Sequence, residues 1–204
     1  MKRFFLTVLY CGVLFFLIRM FLPQAPAIRN PSPTGENIIC FGDSLTSGIG
    51  ASPGMDYPAQ LSGMISLPVI NAGRPGDVTA DALARLQDDV LSRSPRIVLV
   101  TLGGNDFKNR LPRNAAFANL RQIIGKIQDQ GALVVIGGIK IPLWGGELEK
   151  EYKQLARETG SLIVPNIYKD VFGNAGLMSD PVHPNDAGYR IIATRFREVI
   201  SPYL

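Results

Sequence analysis

The sequence predicts an α/β domain in which a five-stranded parallel sheet lies between two layers of helices, a three-layer sandwich. Three observations carry this: five short runs of consecutive apolar residues, segments of helical period between them, and polar, glycine-containing turns at the ends of the runs. The runs are Asn37 to Phe41, Val69 to Asn71, Ile97 to Leu102, Leu133 to Ile136 and Ser161 to Val164. Each is apolar at successive positions, as a parallel strand covered on both faces must be. Between them, Leu83, Leu86 and Val90 share one helix face; so do Phe117, Leu120, Ile124 and Ile127, and then Leu148, Tyr152 and Leu155. A last helix after Asn185 carries Ile192, Phe196 and Val199. Such units join through right-handed crossovers, and ligands gather beyond the C-terminal ends of the strands.

Composition narrows the function. With 204 residues, 46% hydrophobic and 19% charged, the chain has enough apolar content for one core. The formal charge of +4 comes largely from Lys2, Arg3 and Arg19. Without them 18 basic residues face 17 acidic ones, with no basic run to track phosphates, so no nucleic-acid partner is expected. One His and no tight carboxylate cluster give no three-ligand set, so neither a metal nor another cofactor is expected. Glycines at 48, 50 and 54 have the wrong spacing for a dinucleotide fingerprint, and no P-loop occurs.

Residues 1–27 read as an export element lying outside the fold. Lys2 and Arg3 precede the apolar stretch Phe4 to Leu22, broken only by Arg19. Ala25-Pro26-Ala27 fits small-x-small cleavage by a signal peptidase. The stretch is also close to the ~20 residues that span a bilayer, so a retained membrane anchor is the alternative. Residues 28–36, with Pro31 and Pro33, form a linker, and 37–204 form the domain. Either way the N-terminal segment engages the membrane or the export machinery. Cys40 is then the lone cysteine of the mature domain, and no internal disulfide is expected.

Four polar elements stand at the predicted sheet edge. Gly42-Asp43-Ser44-Leu45 follows the first strand, and places a serine where strand passes to loop. Thr46 occupies the second glycine position of a nucleophile elbow, so the motif is of another kind. Asn71 to Thr79 follows the second strand, with Asp77 or Thr79 expected to cap the next helix. Gly103-Gly104-Asn105-Asp106 follows the third strand as a turn that lets the Asn105 amide project into the cleft. Asp180-Pro181-Val182-His183-Pro184-Asn185 precedes the last helix on a loop stiffened by its prolines. A carboxylate three residues before an imidazole is able to hold one ring nitrogen and leave the other outward, as a general base requires. Each motif alone is also an ordinary turn or cap.

In order and spacing, these four elements resemble the blocks of the SGNH hydrolases, the GDSL family of esterases and lipases, from about Asn37 to Ile200. Ala84-Arg85-Leu86, Pro95 to Val100 and Leu102 to Asp106 resemble the family's bacterial thioesterase, arylesterase and lysophospholipase group. The resemblance implies a flavodoxin-like sandwich and a carboxylic ester hydrolase. It implies Ser44 as nucleophile, His183 as base and Asp180 as its orienting partner. It also implies an oxyanion hole made by the Ser44 and Gly76 backbone N–H groups and the Asn105 side chain. Gly73 is a nearby alternative for the second donor, and Arg74-Pro75 departs from the small residues usual in that loop. Phe107 and Trp144, in the loops Phe107 to Pro112 and Ile141 to Gly146, are expected to wall an acyl groove.

The expected activity is hydrolysis of small acyl esters, thioesters or lysophospholipids through an acyl-enzyme, without a cofactor, by a monomer in the bacterial envelope. That location is periplasmic, or at the inner membrane if the anchor is retained. A carbohydrate O-deacetylase of the envelope is the runner-up. A binding module that has lost hydrolysis is a third reading, opposed by the intact Ser44, Asp180 and His183.

Overall fold

The computed structural model describes residues 27–140 and 145–204. The expected signal or anchor segment, apart from Ala27, and Trp144 with its loop residues 141–143 lie outside the described residues. The five strands are β1 (Asn37–Gly42), β2 (Val69–Gly73), β3 (Pro95–Thr101), β4 (Leu133–Gly137) and β5 (Leu162–Val164). All pair in parallel, in the order β2-β1-β3-β4-β5. This is the flavodoxin-like order, in which the chain leaves β1 for one side of the sheet and later crosses to β3 on the other.

The sheet explains which runs were continuous in the sequence. Ile38 to Gly42 of β1 and all of β4 are buried, as is β3 except for Arg96. The edge strands β2 and β5 are only partly covered. The register sets Gly42 beside Gly73 on one side and beside Thr101 on the other, so three strands deliver their C-terminal turns to one place.

The helices are α1 (Ser44–Ser47), α2 (Tyr57–Ser62), α3 (Thr79–Asp89), α4 (Gly104–Lys108), α5 (Arg113–Asp129), α6 (Gly145–Thr159) and α7 (Asp186–Ile200). In one layer α5 packs between α3 and α6, and in the other α2 packs on α7. The apolar stripes face the core: Phe117, Leu120, Ile124 and Ile127 of α5, Leu148, Tyr152 and Leu155 of α6, and Ile192 and Phe196 of α7 are all buried. Asn185 starts α7, its side chain accepting from the Ala187 and Gly188 amides at 3.1 Å.

The sequence predicts no element between Ser47 and Val69, where the structure has α2. Six residues give too little periodicity, but its start was marked. Asp56 accepts from the Ala59 amide at 2.9 Å, and Pro58 stands in the first turn.

At the opposite edge of the sheet, the stretch expected as linker is bonded to the domain. The Arg29 amide donates to the Gly160 carbonyl at 2.8 Å, and Asn30 Nδ2 reaches the Gln128 and Ala132 carbonyls at 2.8 and 2.9 Å.

Candidate active site

Ser44 is the first residue of α1, with only Asp43 between it and the end of β1, so its backbone N–H has no acceptor within the helix. Asp43 caps this turn, Oδ1 accepting from the Leu45 amide at 3.0 Å. Glycine is required around the turn. A β-carbon on Gly42 would overlap the Thr46 hydroxyl and lie 2.5 Å from the Thr101 carbonyl, and Gly48 closes the turn at φ 89°.

His183 arrives from the loop before α7 and stands 3.0 Å from Ser44 Oγ through Nε2. Its Nδ1 lies 2.7 Å from Asp180 Oδ2. Asp180 Oδ1 accepts from the Val182 and His183 amides, both at 2.7 Å, so this carboxylate shapes its own loop as well as the ring. The His183 hydrogen bond, then those amides, hold the Asp180 carboxyl down at about 2. Two tyrosines fix the surroundings: Tyr168 donates to the Val182 carbonyl at 2.8 Å, and Tyr189 to that of Ile49 at 2.7 Å. Gly50, at φ 92°, lets the loop after Ser44 touch the histidine loop, since a β-carbon there would overlap Ser179 Oγ.

Ser44 and His183 line a cavity of about 270 Å³. Gly76 and Asn105 line it; Gly73 does not. Gly73 lies against α1, where a β-carbon would overlap the Ser47 amide nitrogen. Gly76 adopts φ 88° with open space where its β-carbon would be. Asn105 Nδ2 donates to the Asp77 carbonyl at 3.0 Å, which uses one amide hydrogen and leaves the second for a ligand. The apolar lining comes from Leu45, Ile49, Pro75, Ile139 and Val182.

Four local expectations change. Gly104 to Asp106 is helical rather than a turn, Gly103 entering α4 at φ 109°. Phe107 does not line the cavity; its ring centroid is 6.3 Å from that of Phe117. Helical rotation is the reason: residues three apart share a face, so Asn105 and Lys108 border the cavity while Phe107 turns toward α5. Asp77 and Thr79 cap nothing. Asp77 pairs with Arg85 at 2.5 Å, the Val78 amide is bound by Asp81, and Asp106 holds both the amide and the hydroxyl of Thr79, at 2.9 and 2.7 Å. Of the expected loop Ile141 to Gly146, the last two residues begin α6.

The sequence reading did not single out Lys108, Ile139 or Tyr168 as cavity residues. Tyr168 and Ile139 follow strands β5 and β4, and position just beyond a strand was their only signal. Asp43 stands within the Gly42-Asp43-Ser44-Leu45 motif. It is 3% exposed, and burial pushes its carboxyl up to about 6.

A family model described as the GDSL-like Lipase/Acylhydrolase family matches residues 40–191. The thioesterase 1/protease 1/lysophospholipase L1 of Escherichia coli (strain K12) is 29% identical over 175 residues, 82% of this chain and 84% of that protein. An arylesterase of Vibrio mimicus is 29% identical over 164 residues, 75% of this chain and 82% of its own length. The crystal structure of TesA matches with a TM-score of 0.78 at 26% identity, covering 83% of this chain and all of that one.

Proposed function

Because the chain belongs to the GDSL-like lipase/acylhydrolase family of carboxylic ester hydrolases, we propose that Ser44 is the nucleophile of a serine esterase acting on acyl esters and thioesters. The observation that carries this reading is the unbroken path from Asp180 through His183 to Ser44 Oγ, in steps of 2.7 and 3.0 Å. A serine hydroxyl is a poor nucleophile until a base takes its proton. His183 Nε2 accepts that proton as Oγ attacks the carbonyl carbon, and Asp180 stabilises the imidazolium through Nδ1. Negative charge collects on the carbonyl oxygen, and the Ser44 and Gly76 amides and the second Asn105 amide hydrogen stabilise it. The imidazolium then protonates the departing alkoxide or thiolate, leaving an acyl ester on Ser44. Water, deprotonated by His183, releases the acid.

The apolar lining from Leu45, Ile49, Ile139 and Val182 suits a hydrocarbon chain, and supports medium or long acyl groups as the preferred donors. One relative is named a thioesterase and lysophospholipase, which supports thioester and lipid acyl donors. The N-terminal segment supports action in the cell envelope, after export or from a membrane anchor.

The test is hydrolysis of nitrophenyl esters from acetyl to palmitoyl by the purified protein and by Ser44→Ala. A Ser44-dependent rate that peaks at medium or long chains supports the proposal. A peak at acetyl with a steep decline moves the assignment to O-deacetylation, and no Ser44-dependent rate at any length leaves only a binding role.

A further inference from the structure

Arg85 does not line the cavity, yet its guanidinium gathers the chain segments that carry the oxyanion donors. It sits on α3, 8% exposed. Nη2 donates at 2.9 Å to the carbonyl of Gly42, two residues before Ser44. Nη1 donates at 2.9 Å to the carbonyl of Ala72, near the end of β2, and at 2.7 Å to Asp89. Nε donates at 2.5 Å to Oδ2 of Asp77, the residue after Gly76. The backbone carbonyl of Asp77 in turn receives the Asn105 amide. The guanidinium carbon stands 4.4 Å from the centroid of the Phe41 ring.

We propose that Arg85 is a positioning residue of the oxyanion hole, acting through Asp77 on Gly76 and Asn105. The proposal rests on the reading of Gly76 and Asn105 as oxyanion donors. Gly76 is a compliant point: a left-handed glycine with nothing packed where a side chain would be. Something outside the loop must hold its amide in place, and the residue beside it is fastened by a buried ion pair in which Asp77 is 6% exposed. The same fastening fixes the carbonyl that orients Asn105. Only a planar fork serves four acceptors from three chain segments at once; a lysine ammonium keeps the charge but not this geometry.

A purely structural role, pinning α3 to the sheet, makes a different prediction, and a double-mutant cycle separates the two. Arg85→Lys and Asp77→Asn are each made in the full chain, alone and with Asn105→Ala, and kcat, KM and Tm are measured on a nitrophenyl ester. Arg85→Lys alone is expected to lower kcat by about 10- to 100-fold, at or just below the loss of one oxyanion donor, with KM changed by less than about threefold. In the Asn105→Ala background the same change is expected to cost at least about threefold less than it does alone, because one of the two donors it positions is gone and only Gly76 remains. Asp77→Asn keeps an acceptor for Nε and is expected to show the same coupling with a smaller loss; if Arg85→Lys does not fold, this cycle decides. An equal loss in both backgrounds, an effect on KM alone, or unchanged kcat overturns the proposal while leaving the oxyanion reading intact. A wild-type kcat in Asn105→Ala itself overturns that reading, and the role of Arg85 with it.

Discussion

Gly73, at the end of β2, lies directly against the backbone of Ser47 in the short helix that begins with Ser44. A β-carbon there would overlap the Ser47 amide nitrogen and stand 2.5 Å from the Thr46 carbonyl carbon. Backbone is met rather than a movable side chain, so the nucleophile turn would have to shift. Gly73→Ala is therefore expected to cost about 1–3 kcal/mol of stability and most of the activity, since an ångström at Ser44 breaks its alignment with His183. Gly76→Ala meets open space and pays only for its left-handed backbone, about 1–2 kcal/mol. Thermal melts and kcat for the pair test this. A Gly73→Ala protein with normal kcat would show that the contact does not place the nucleophile.

The roles proposed for Ser44, His183 and Asn105 make graded predictions. Ser44→Ala removes the attacking atom and His183→Ala the proton acceptor, so each should abolish most of the activity. Asn105→Ala removes one donor of three, and should lower kcat by about 10²–10³-fold with little change in KM. Full activity in purified Ser44→Ala would end the assignment. A loss confined to KM in Asn105→Ala would place that amide in ground-state binding instead.

The strands and four helices were legible because burial on both faces of β1, β3 and β4, and on one stripe of α5, α6 and α7, writes itself as runs and periods. The four site elements were legible because strand ends carry chemistry in this architecture. Side-chain direction was not. Phe107 and Lys108 are neighbours, and only the one-turn helix formed after Gly103 decides which faces the cavity. Asp77 resembled a cap because its partner, Arg85, is eight residues away on the helix face that turns back over the strand ends.

The rate should also report the proton acceptor. Asp180, held at about 2, stays ionised wherever the protein is assayed, so its own protonation does not set the acid side of the profile. A carboxyl lowered in this way adds stability above the ordinary carboxylate range, and that contribution is lost as pH falls toward 2. Activity should decline as the medium is acidified because only neutral imidazole accepts the Ser44 proton. A kcat/KM that shows no acid limb while the protein stays folded counts against His183 as the base.

Asp43 predicts a stability effect of opposite sign. Its carboxyl is raised from an ordinary 3.8 to about 6 by burial, so between those values the folded protein binds a proton that the unfolded chain does not. Folding is thus favoured as pH falls through 6 toward 4, and above 6 the buried charge costs on the order of 3 kcal/mol. Asp43→Asn retains an oxygen to cap the Leu45 amide and removes the charge. The variant should melt higher than the parent at about pH 8, by several degrees for a chain of this size, and the gap should close toward pH 4, where both side chains are neutral. A gap that is the same at both pH values would mean that the buried charge is not what separates the two proteins, and a variant less stable at pH 8 that the ionised Asp43 is stabilised by its surroundings, the Leu45 amide first and then His183.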